Sequence, residues 1–562
     1  MVKTAYRLFI ATVLYAVLTI PCPAKPALLI AANQLGYLTG DIKSAVVAAS
    51  IPLEGKRFDL VDAGSDIAVY SSSVGRNLGP YGGFARHYRI DFSSVTTPGS
   101  YALKVQGERS YAFTIGDHVY DRLVDSLLLF FQVQRCGNTN PLLHKPCHLH
   151  DITGLIGNGP AVRVKIDLTG GWHDAGDYIK FLNTTAYAAY TLMFAYEFEP
   201  SIFDQRKEGI PDVLGEAKIG LDWLLKLWVP DRGLITQVQD LRDHDEGWRL
   251  PEDDVLSFDR PGYVGMGKNL VGIYAATMAL AARVWRDALH DSAFAGRCLT
   301  AAEDIYSMRD QVPDVDSSGT GTYRDTRFAG KLALGAAELY LTTRREEYLK
   351  QAIPLAIKAG ADHWWSWGDV NSFAHYRLAG KDKRLLKYIR ENLVAARDTA
   401  RRRMFGEAVE SRWGSNMSIL GVALQAILWK RLTGESTFDT LATLQRDYIL
   451  GRNQWNISFI SNIGTNFSRH FHSQVAYLKG GYLPGAVAAG PIRAAILQQF
   501  KMPLDGKDIY EDLQTETATY RDDRMDWITN EPTITGGATA VFVMAYYAGV
   551  QSMTQLFPGD NQ

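Results

Sequence analysis

The hydrophobic pattern changes character partway along the chain, and this change restricts the fold more than any other feature. Residues 28–116 contain short apolar or alternating runs, such as KRFDLVD and GSYALKV, separated by Gly, Pro, Asn and Ser turns. Runs of this kind are typical of strands. They predict a small all-β sandwich of the size of an immunoglobulin-like domain.

Residues 117–557 have a helical period instead. About a dozen amphipathic segments can be recognised, including IPDVLGEAKIGLDWLLKLW and LVGIYAATMALAARVWRDAL. No strand pattern is evident between them, so we predict an all-α domain of helical pairs, either a toroid or a barrel of hairpins. The loops that join the helices carry the Gly, Trp, His and Asp residues, and function is expected there.

Residues 1–27 have the features of a secretory signal peptide. Lys3 and Arg7 precede an apolar run over residues 8–20, and small residues with prolines follow. The run is short for a bilayer span, although an uncleaved membrane anchor is the alternative. We therefore expect a secreted or periplasmic protein that has no membrane association once the leader is removed.

The charge balance argues against polyanionic partners. The chain has 59 Lys and Arg against 61 Asp and Glu, a formal net charge of −2. Binding to nucleic acid or to an anionic membrane needs a basic field, which this composition does not supply. A neutral ligand suits it better.

The stretch GGWHDAGDYIKF, residues 170–181, places two carboxylates close together. Asp174 and Asp177 are three positions apart, so in a turn their carboxylates can lie on one side and hold a water molecule while one accepts its proton. This arrangement suits a hydrolase. The alternative is that Asp174 caps the next helix and Asp177 is solvated.

A hydrolase of this kind also needs an acid, and Glu531 is the candidate. It lies in a loop of Asn, Thr and Pro ahead of the last apolar helix, within YRDDRMDWITNEPTITGGATAVF. Apolar surroundings could keep its carboxyl protonated, as the general acid of a glycosidase requires. The alternative is an exposed glutamate in the first turn of that helix.

GGWHDAGD and the NE of ITNEPT resemble the two catalytic segments of glycoside hydrolase family 9, the inverting cellulases and their relatives. ANQLGYL, FFQVQRCG, GIPDVLGEAKIGLDWLLK, WGSNMS and DYILGRNQWNISFISNIGTN resemble other segments of the family in the same order. The resemblance implies an (α/α)6 barrel behind an immunoglobulin-like domain. It also implies that Asp177 is the general base, that Asp174 helps to hold the water, and that Glu531 is the general acid.

The resemblance weakens around the sugar site. A third family segment is matched at Ser458, Ser461, Gly464, Asn466 and His472, but its arginine position holds Gln474. In the acid segment Tyr520, Asp522, Trp527 and Thr533 match, whereas a Tyr-Asn pair is replaced by Gly536 and Gly537. The resemblance therefore implies intact catalytic machinery in an altered pocket. Its expected substrate-binding residues are His472, Gln474, Tyr520 and Trp172.

Aromatic side chains are further candidates for the sugar site. Rings of Trp172, Trp364, Trp365, Trp367, Trp413 and Trp455 could stack on sugar faces, although most tryptophans belong to cores. Trp172, beside the aspartates, has the best-placed ring.

The stretch RCGNTNPLLHKPCHLHD contains two cysteines, whose pattern is compatible with either a disulfide or a metal site. In an exported protein Cys136 and Cys147 could form a disulfide, or they could bind zinc together with His148 and His173. The family resemblance implies a structural zinc held by these four residues, with His144 and His150 as alternative ligands. It also implies calcium, but no EF-hand-like loop identifies the calcium ligands.

These observations predict a monomeric, secreted, two-domain inverting glycosidase. Its expected substrate is a β-1,4-linked glucan or the corresponding oligosaccharides, with endoglucanase-like cleavage. One alternative is an exo-acting β-glucosidase or β-glucosaminidase on short oligosaccharides. The other is a non-catalytic glycan-binding protein, which would need no acid opposite a base.

Overall fold

The computed structural model describes residues 28–157, 159–203, 210, 212–254, 260–316, 325–362 and 364–556. The predicted signal peptide, residues 1–27, lies outside the described residues. None of the helices described is both long enough and apolar enough to cross a membrane.

Two packed sheets form the first part of the chain. The strands are β1 (Leu28–Ala31), β2 (Gly36–Tyr37), β3 (Ser44–Ala49), β4 (Arg57–Asp62), β5 (Ala68–Ser73), β6 (Arg86–Asp91), β7 (Gly99–Val105), β8 (Glu108–Arg109) and β9 (Phe113–Ile115). One sheet has the order β1-β3-β6 and the other β2-β9-β7-β4-β5, with β8 against β7. The predicted β-sandwich is therefore confirmed.

Strand β3 shows why this domain is attached to the helical part. Successive side chains of a strand point to opposite faces. Ala45, Val47 and Ala49 belong to the core of the sandwich, whereas Val46 belongs to the core of the helical domain. The small sheet thus contributes to two hydrophobic cores.

Fifteen α-helices follow in the described residues. They are α1 (Leu123–Gln134), α2 (Leu182–Phe198), α3 (Pro200–Phe203), α4 (Asp212–Leu224), α5 (Lys268–Asp287), α6 (Ser292–Ser307), α7 (Ala329–Thr343), α8 (Glu346–Ala359), α9 (Asn371–Leu378), α10 (Leu386–Arg402), α11 (Ser415–Thr433), α12 (Asp439–Ile449), α13 (Gln474–Leu478), α14 (Ala494–Phe500) and α15 (Ile534–Leu556).

Six of these helices form a closed inner ring. Each of α2, α5, α7, α9, α11 and α15 packs against the next, and α15 returns to α2. The outer helices α1, α4, α6, α8, α10 and α12 pack against this ring. Helix α2 is buried on almost every face and α10 on one face only, as expected for inner and outer positions. The (α/α)6 barrel is confirmed.

The helical part also contains a sheet, which the sequence analysis did not predict. Its strands are β10 (Ile152–Gly157), β11 (Gly159–Asp167), β12 (Lys180–Phe181), β13 (Trp228–Val229), β14 (Gly233–Val238) and β15 (Gly262–Gly265). Several have only two to four residues, too few for a recognisable alternating pattern. The sheet connects the loops around the start of α2, where the candidate catalytic residues lie.

Candidate active site and metal cluster

The two carboxylate segments meet because they precede neighbouring helices of the inner ring. Asp174 and Asp177 lie ahead of α2, and Glu531 lies ahead of α15, which packs against α2. The N–H of Ile534 at the start of α15 donates to the carbonyl of Asp174 at 3.0 Å. The barrel thus brings together residues that are far apart in the sequence.

Gly176 makes a second contact between these segments, directly to the side chain of Glu531. Its N–H donates to Oε1 of Glu531 at 3.0 Å. A Cβ at this position would lie 2.1 Å from the carbonyl oxygen of His472, closer than any real contact. The glycine of the Asp-Ala-Gly-Asp turn is therefore needed for the approach of both the acid and the His472 loop.

Glu531 is in an environment that favours its neutral form. Burial raises the pKa of Glu531 well above its usual value, and the negative charge of Asp177 raises it further. The hydrogen bond from Gly176 opposes this shift but does not reverse it. A carboxyl that keeps its proton near neutral pH can act as a general acid.

Asp177 has a histidine partner that the sequence analysis missed. Its Oδ2 lies 2.8 Å from Nε2 of His244, and its Oδ1 accepts a hydrogen bond from the N–H of Ile179 at 3.0 Å. The hydrogen bond with Asp177 raises the pKa of His244 to about 9, although partial burial opposes the shift. A cationic His244 therefore places a positive charge against Asp177.

His244 lies 67 positions from Asp177, in a short 3₁₀ helix over residues 241–245 that follows β14. The side chain of Asp240 caps this turn by accepting the N–H of Arg242 at 2.9 Å. The sequence around His244, DLRDHDEGW, holds four acidic residues near one histidine. That composition alone gives no reason to place it beside Asp177.

A cavity of about 340 Å³ opens beside the carboxylates. Asp174 and Glu531 lie at one side of it, and Trp364, Trp367 and Trp413 contribute aromatic rings. Trp365 and Trp455, in contrast, are buried and do not line this cavity. The cavity therefore combines aromatic surface with two carboxyl groups.

His472 and Gln474 contact the segments that carry the candidate catalytic residues, through Asn530 and Gly176. Nδ1 of His472 donates to the carbonyl of Arg524 at 2.7 Å, and burial lowers the pKa of this ring. The buried side-chain carbonyl of Gln474 instead accepts the backbone N–H of Arg249 at 3.0 Å. The backbone N–H of Gln474 donates to the carbonyl of Gly176 at 3.2 Å. Gln474 thus connects two loops of the site.

Trp172 and Tyr520 do not have the exposure that substrate contact requires. Both are completely buried. The indole N–H of Trp172 donates to Glu216 at 2.9 Å, and the hydroxyl of Tyr520 donates to Oδ1 of Asn530 at 2.6 Å. We therefore correct their expected sugar-binding role to a structural one, because neither ring has a face open to a ligand.

The four expected metal ligands converge in the core of the helical domain. Cys136, Cys147, His148 and His173 are all buried, and their ligand atoms lie within 4.8 Å of one another. Nδ1 of His148 is 3.6 Å from the sulfur of Cys136 and 3.3 Å from Nε2 of His173. Two thiols and two imidazoles converging on one point match the ligand set of a closed tetrahedral zinc site.

The remaining nitrogen of His148 supports this reading. Its Nε2 lies 2.8 Å from Oδ2 of Asp254, so that Nδ1 faces the cluster. Metal-binding histidines usually donate their other N–H to a carboxylate in this way. Asp254 is also paired with Arg249 and Arg260, which hold it in place.

The structure decides between the disulfide and the metal site, and between the alternative histidine ligands. Cys136 and Cys147 are free cysteines, so they form no disulfide. Both ring nitrogens of His144 lie 2.8 Å from backbone carbonyls, and His150 is exposed. Among the described residues, no second group of three or more His, Cys, Asp or Glu side chains converges in this way, so nothing here identifies ligands for the expected calcium.

Known proteins resemble the chain along most of its length. A family model described as Glycosyl hydrolase family 9 matches residues 120–544, and one described as Cellulase N-terminal ig-like domain matches residues 26–110. Endoglucanase D of Acetivibrio thermocellus is 26% identical over 504 residues, which cover 82% of this chain and 78% of that protein.

Solved structures of family 9 endoglucanases are also similar to the chain over most of its length. A metagenome-derived glycoside hydrolase family 9 endoglucanase has 28% identity and a TM-score of 0.79, covering 93% of this chain and 99% of that chain. A Zn-binding triple mutant of a family 9 endoglucanase has 26% identity and a TM-score of 0.78, covering 91% and 99%. The family model spans more than half of the sequence and includes both carboxylate segments, and the chain belongs to glycoside hydrolase family 9.

Proposed function

We propose that this protein is an inverting hydrolase of β-1,4-linked glucans, with Asp177 as general base, Asp174 as its partner in holding the water, and Glu531 as general acid. The observation that carries the proposal is the contrast between two neighbouring carboxyls. Burial raises the pKa of Glu531 well above its usual value, whereas His244, whose pKa is raised to about 9, is hydrogen-bonded to Asp177. Opposite environments of this kind separate an acid from a base.

The reaction then follows in one displacement. A water oxygen forms a bond to the anomeric carbon while Asp177 accepts the proton of that water. The bond between the anomeric carbon and the glycosidic oxygen breaks, and Glu531 donates its proton to that oxygen. The product has the inverted anomeric configuration.

Substitutions of the two carboxyls separate their roles. Asp177→Asn should abolish hydrolysis of both cellohexaose and β-cellobiosyl fluoride, because both need an activated water. Glu531→Gln should lose about 10²–10⁴-fold on cellohexaose but retain activity on the fluoride, whose leaving group needs no proton. Equal losses on both substrates in Glu531→Gln would contradict its assignment as the acid.

Substrate and cleavage mode are tested by products. Cellohexaose, chitohexaose and carboxymethyl-cellulose are compared, with the first anomer followed by NMR. An endoglucanase releases mixed short products of inverted configuration from the cello-substrates. A single terminal sugar, from oligosaccharides only, would favour the exo-acting alternative.

The altered pocket is the observation that favours oligosaccharides as a second candidate. Gly536 lines the cavity, and a Cβ there would meet only the hydroxyl of Thr533, at 3.3 Å. Gln474 is turned towards a backbone N–H and supplies no charged group to a sugar. If these differences set specificity, Gly536→Tyr should change the ratio of activities on cellotetraose and polymer.

We further propose that Cys136, Cys147, His148 and His173 hold a structural zinc ion. Four protein ligands leave no open position, so the ion would be structural rather than catalytic. His173 directly precedes Asp174, so that binding of its ring at the cluster restrains the catalytic turn.

Export of the mature protein, expected from residues 1–27, is tested by finding activity outside the cytoplasm.

A further inference from the structure

One side chain of the β-sandwich reaches deep into the helical domain. Gln34, in the turn between β1 and β2, is 5% exposed. Its Oε1 accepts the N–H groups of Thr465 and Asn466 at 3.0 and 2.8 Å, and its Nε2 donates to the carbonyl of Asn456 at 2.9 Å. The carboxamide therefore holds both ends of the loop 456–466.

Two glycines of the helical domain are shaped to receive it. A Cβ on Gly451 would lie 2.8 Å from Nε2 of Gln34. A Cβ on Gly464 would lie 2.8 Å from the Cβ of Gln34. Gly464 has a φ of +85° and Gly451 of +121°, conformations that other residues rarely adopt. The loop is thus built around this glutamine.

The held loop connects by hydrogen bonds to the tyrosine at the acid segment. The N–H of Ser458 donates to the carbonyl of Asn466 at 2.8 Å, and the N–H of Ser468 donates to the carbonyl of Ser458 at 2.9 Å. The hydroxyls of Ser468 and Tyr520 lie 2.7 Å apart.

Tyr520 in turn holds the residue before the acid. Its hydroxyl donates to Oδ1 of Asn530 at 2.6 Å. Nδ2 of Asn530 donates to the carbonyl of His470 at 2.6 Å, and the carbonyl of Asn530 accepts the N–H of His472 at 3.2 Å. Glu531 is the next residue in the chain.

We propose that Gln34 is a positioning residue for Glu531 and acts through this relay of Gln34, Asn466, Ser458, Ser468, Tyr520 and Asn530. The inference rests on the proposed role of Glu531 as general acid. It assigns the sandwich a part in catalysis through one side chain that lies outside the barrel. Ser458, Ser468, Tyr520 and Asn530 are each completely buried, so water does not compete for these hydrogen bonds.

Other polar contacts of the sandwich end elsewhere. Arg89 donates to the carbonyls of Arg403 and Met404 at 2.8 and 3.2 Å, in the segment after α10. Arg89→Ala therefore removes hydrogen bonds between the two domains without touching the relay. It is the matched control for a loss of domain attachment.

The test compares two substrates in the full-length mature protein. Gln34→Met keeps the volume of the side chain but removes its three hydrogen bonds. We expect kcat on cellohexaose to fall about tenfold, with KM within about twofold of wild type. Activity on β-cellobiosyl fluoride should change less than about twofold, because that leaving group needs no acid.

Tyr520→Phe should show the same dependence on the leaving group, since it breaks the relay at one hydroxyl. The double variant should lose little more than the larger single variant, because both break one relay. Arg89→Ala should leave both substrates unaffected.

Equal losses of Gln34→Met on both substrates, or a selective loss in Arg89→Ala as well, would overturn the inference and leave Gln34 as a domain contact only. A wild-type protein that hydrolyses neither substrate would instead refute the proposed function. The two failures are therefore distinguishable.

Discussion

The N–H of Gly176 donates a hydrogen bond to Oε1 of Glu531 at 3.0 Å, across 355 positions of sequence. This contact joins the turn that carries Asp174 and Asp177 to the residue proposed as the acid. It exists because the helices α2 and α15, which follow the two segments, are neighbours in the inner ring. The spacing between Glu531 and the turn of Asp174 and Asp177 is thus set by barrel closure.

Gly176→Ala should disable the enzyme while leaving the barrel folded. The added Cβ would lie 2.1 Å from the carbonyl of His472 and 3.1 Å from Oε1 of Glu531, so the turn must move. A displacement of about 1 Å can cost roughly a hundredfold in rate, and we expect a loss of kcat of that order. Gly215→Ala, where no atom lies within 4 Å of the added Cβ, serves as the control. Wild-type kcat in Gly176→Ala would contradict the close approach.

His244→Ala should move the alkaline limb of the pH–activity profile, which depends on the proton of Glu531, to higher pH. The ring of His244 lies against the carboxylate of Asp177 at 2.8 Å. His244 also lowers the pKa of Glu531, so its removal lets the acid keep its proton to higher pH. The profile of kcat against pH is the measurement. His118→Ala, which removes an exposed pair with Asp121, should leave the profile unchanged, and an unmoved profile in His244→Ala would refute the coupling.

The same pair makes a prediction for stability. His244 has its pKa raised from about 6.5 in the unfolded chain to about 9 in the fold. The contribution of His244 to the free energy of unfolding is therefore complete below about pH 6.5, and it is lost as the pH rises through about 9. Urea unfolding of wild type and His244→Ala should differ more at pH 6 than at pH 10. The difference will be small because the side chain of His244 is 49% exposed.

Metal analysis tests the cluster. We expect about one zinc per chain in the wild type and none in Cys147→Ser, which lacks one of the four coordinating residues. Cys147→Ser should also have a lower Tm, because the buried rings of His148 and His173 then have no zinc ion to bind. Cys298→Ser removes a buried thiol outside the cluster and should keep its zinc. A wild-type protein without metal and without free thiols at Cys136 and Cys147 would refute the zinc site.

Trp413→Ala should weaken substrate binding more than catalysis. The ring lines the cavity beside the carboxylates and is 42% exposed. Loss of one aromatic contact, worth about 0.5–1.5 kcal/mol, should raise KM for cellohexaose roughly two- to tenfold with kcat less affected. Ile509→Ala, at a more exposed apolar residue outside the cavity lining, is the control. An unchanged KM in Trp413→Ala would exclude the ring from the substrate site.

Much of the architecture was predictable from local pattern. The period of two in segments such as KRFDLVD and the helical period in segments such as LVGIYAATMALAARVWRDAL depend on neighbouring residues, and both predictions are confirmed by β4 and α5. The short strands β12 and β13 were missed, because two residues carry no period. The roles of Asp174, Asp177 and Glu531 remain predictions that the activity assays test.

By itself, the sequence determined the two domain types and the family, since these follow from local periodicity and from motifs in order. It left a disulfide between Cys136 and Cys147 and other histidine ligands open, and the tertiary structure brought together the four residues of the metal cluster. Only the tertiary structure decided that His244 pairs with Asp177, that Trp172 and Tyr520 are buried, and that Gln34 reaches the loop 456–466. These outcomes depend on which side chains meet when distant segments pack. The type of a residue and its spacing from neighbours in the sequence do not show which distant residue it will contact. Only the packing of the folded chain does.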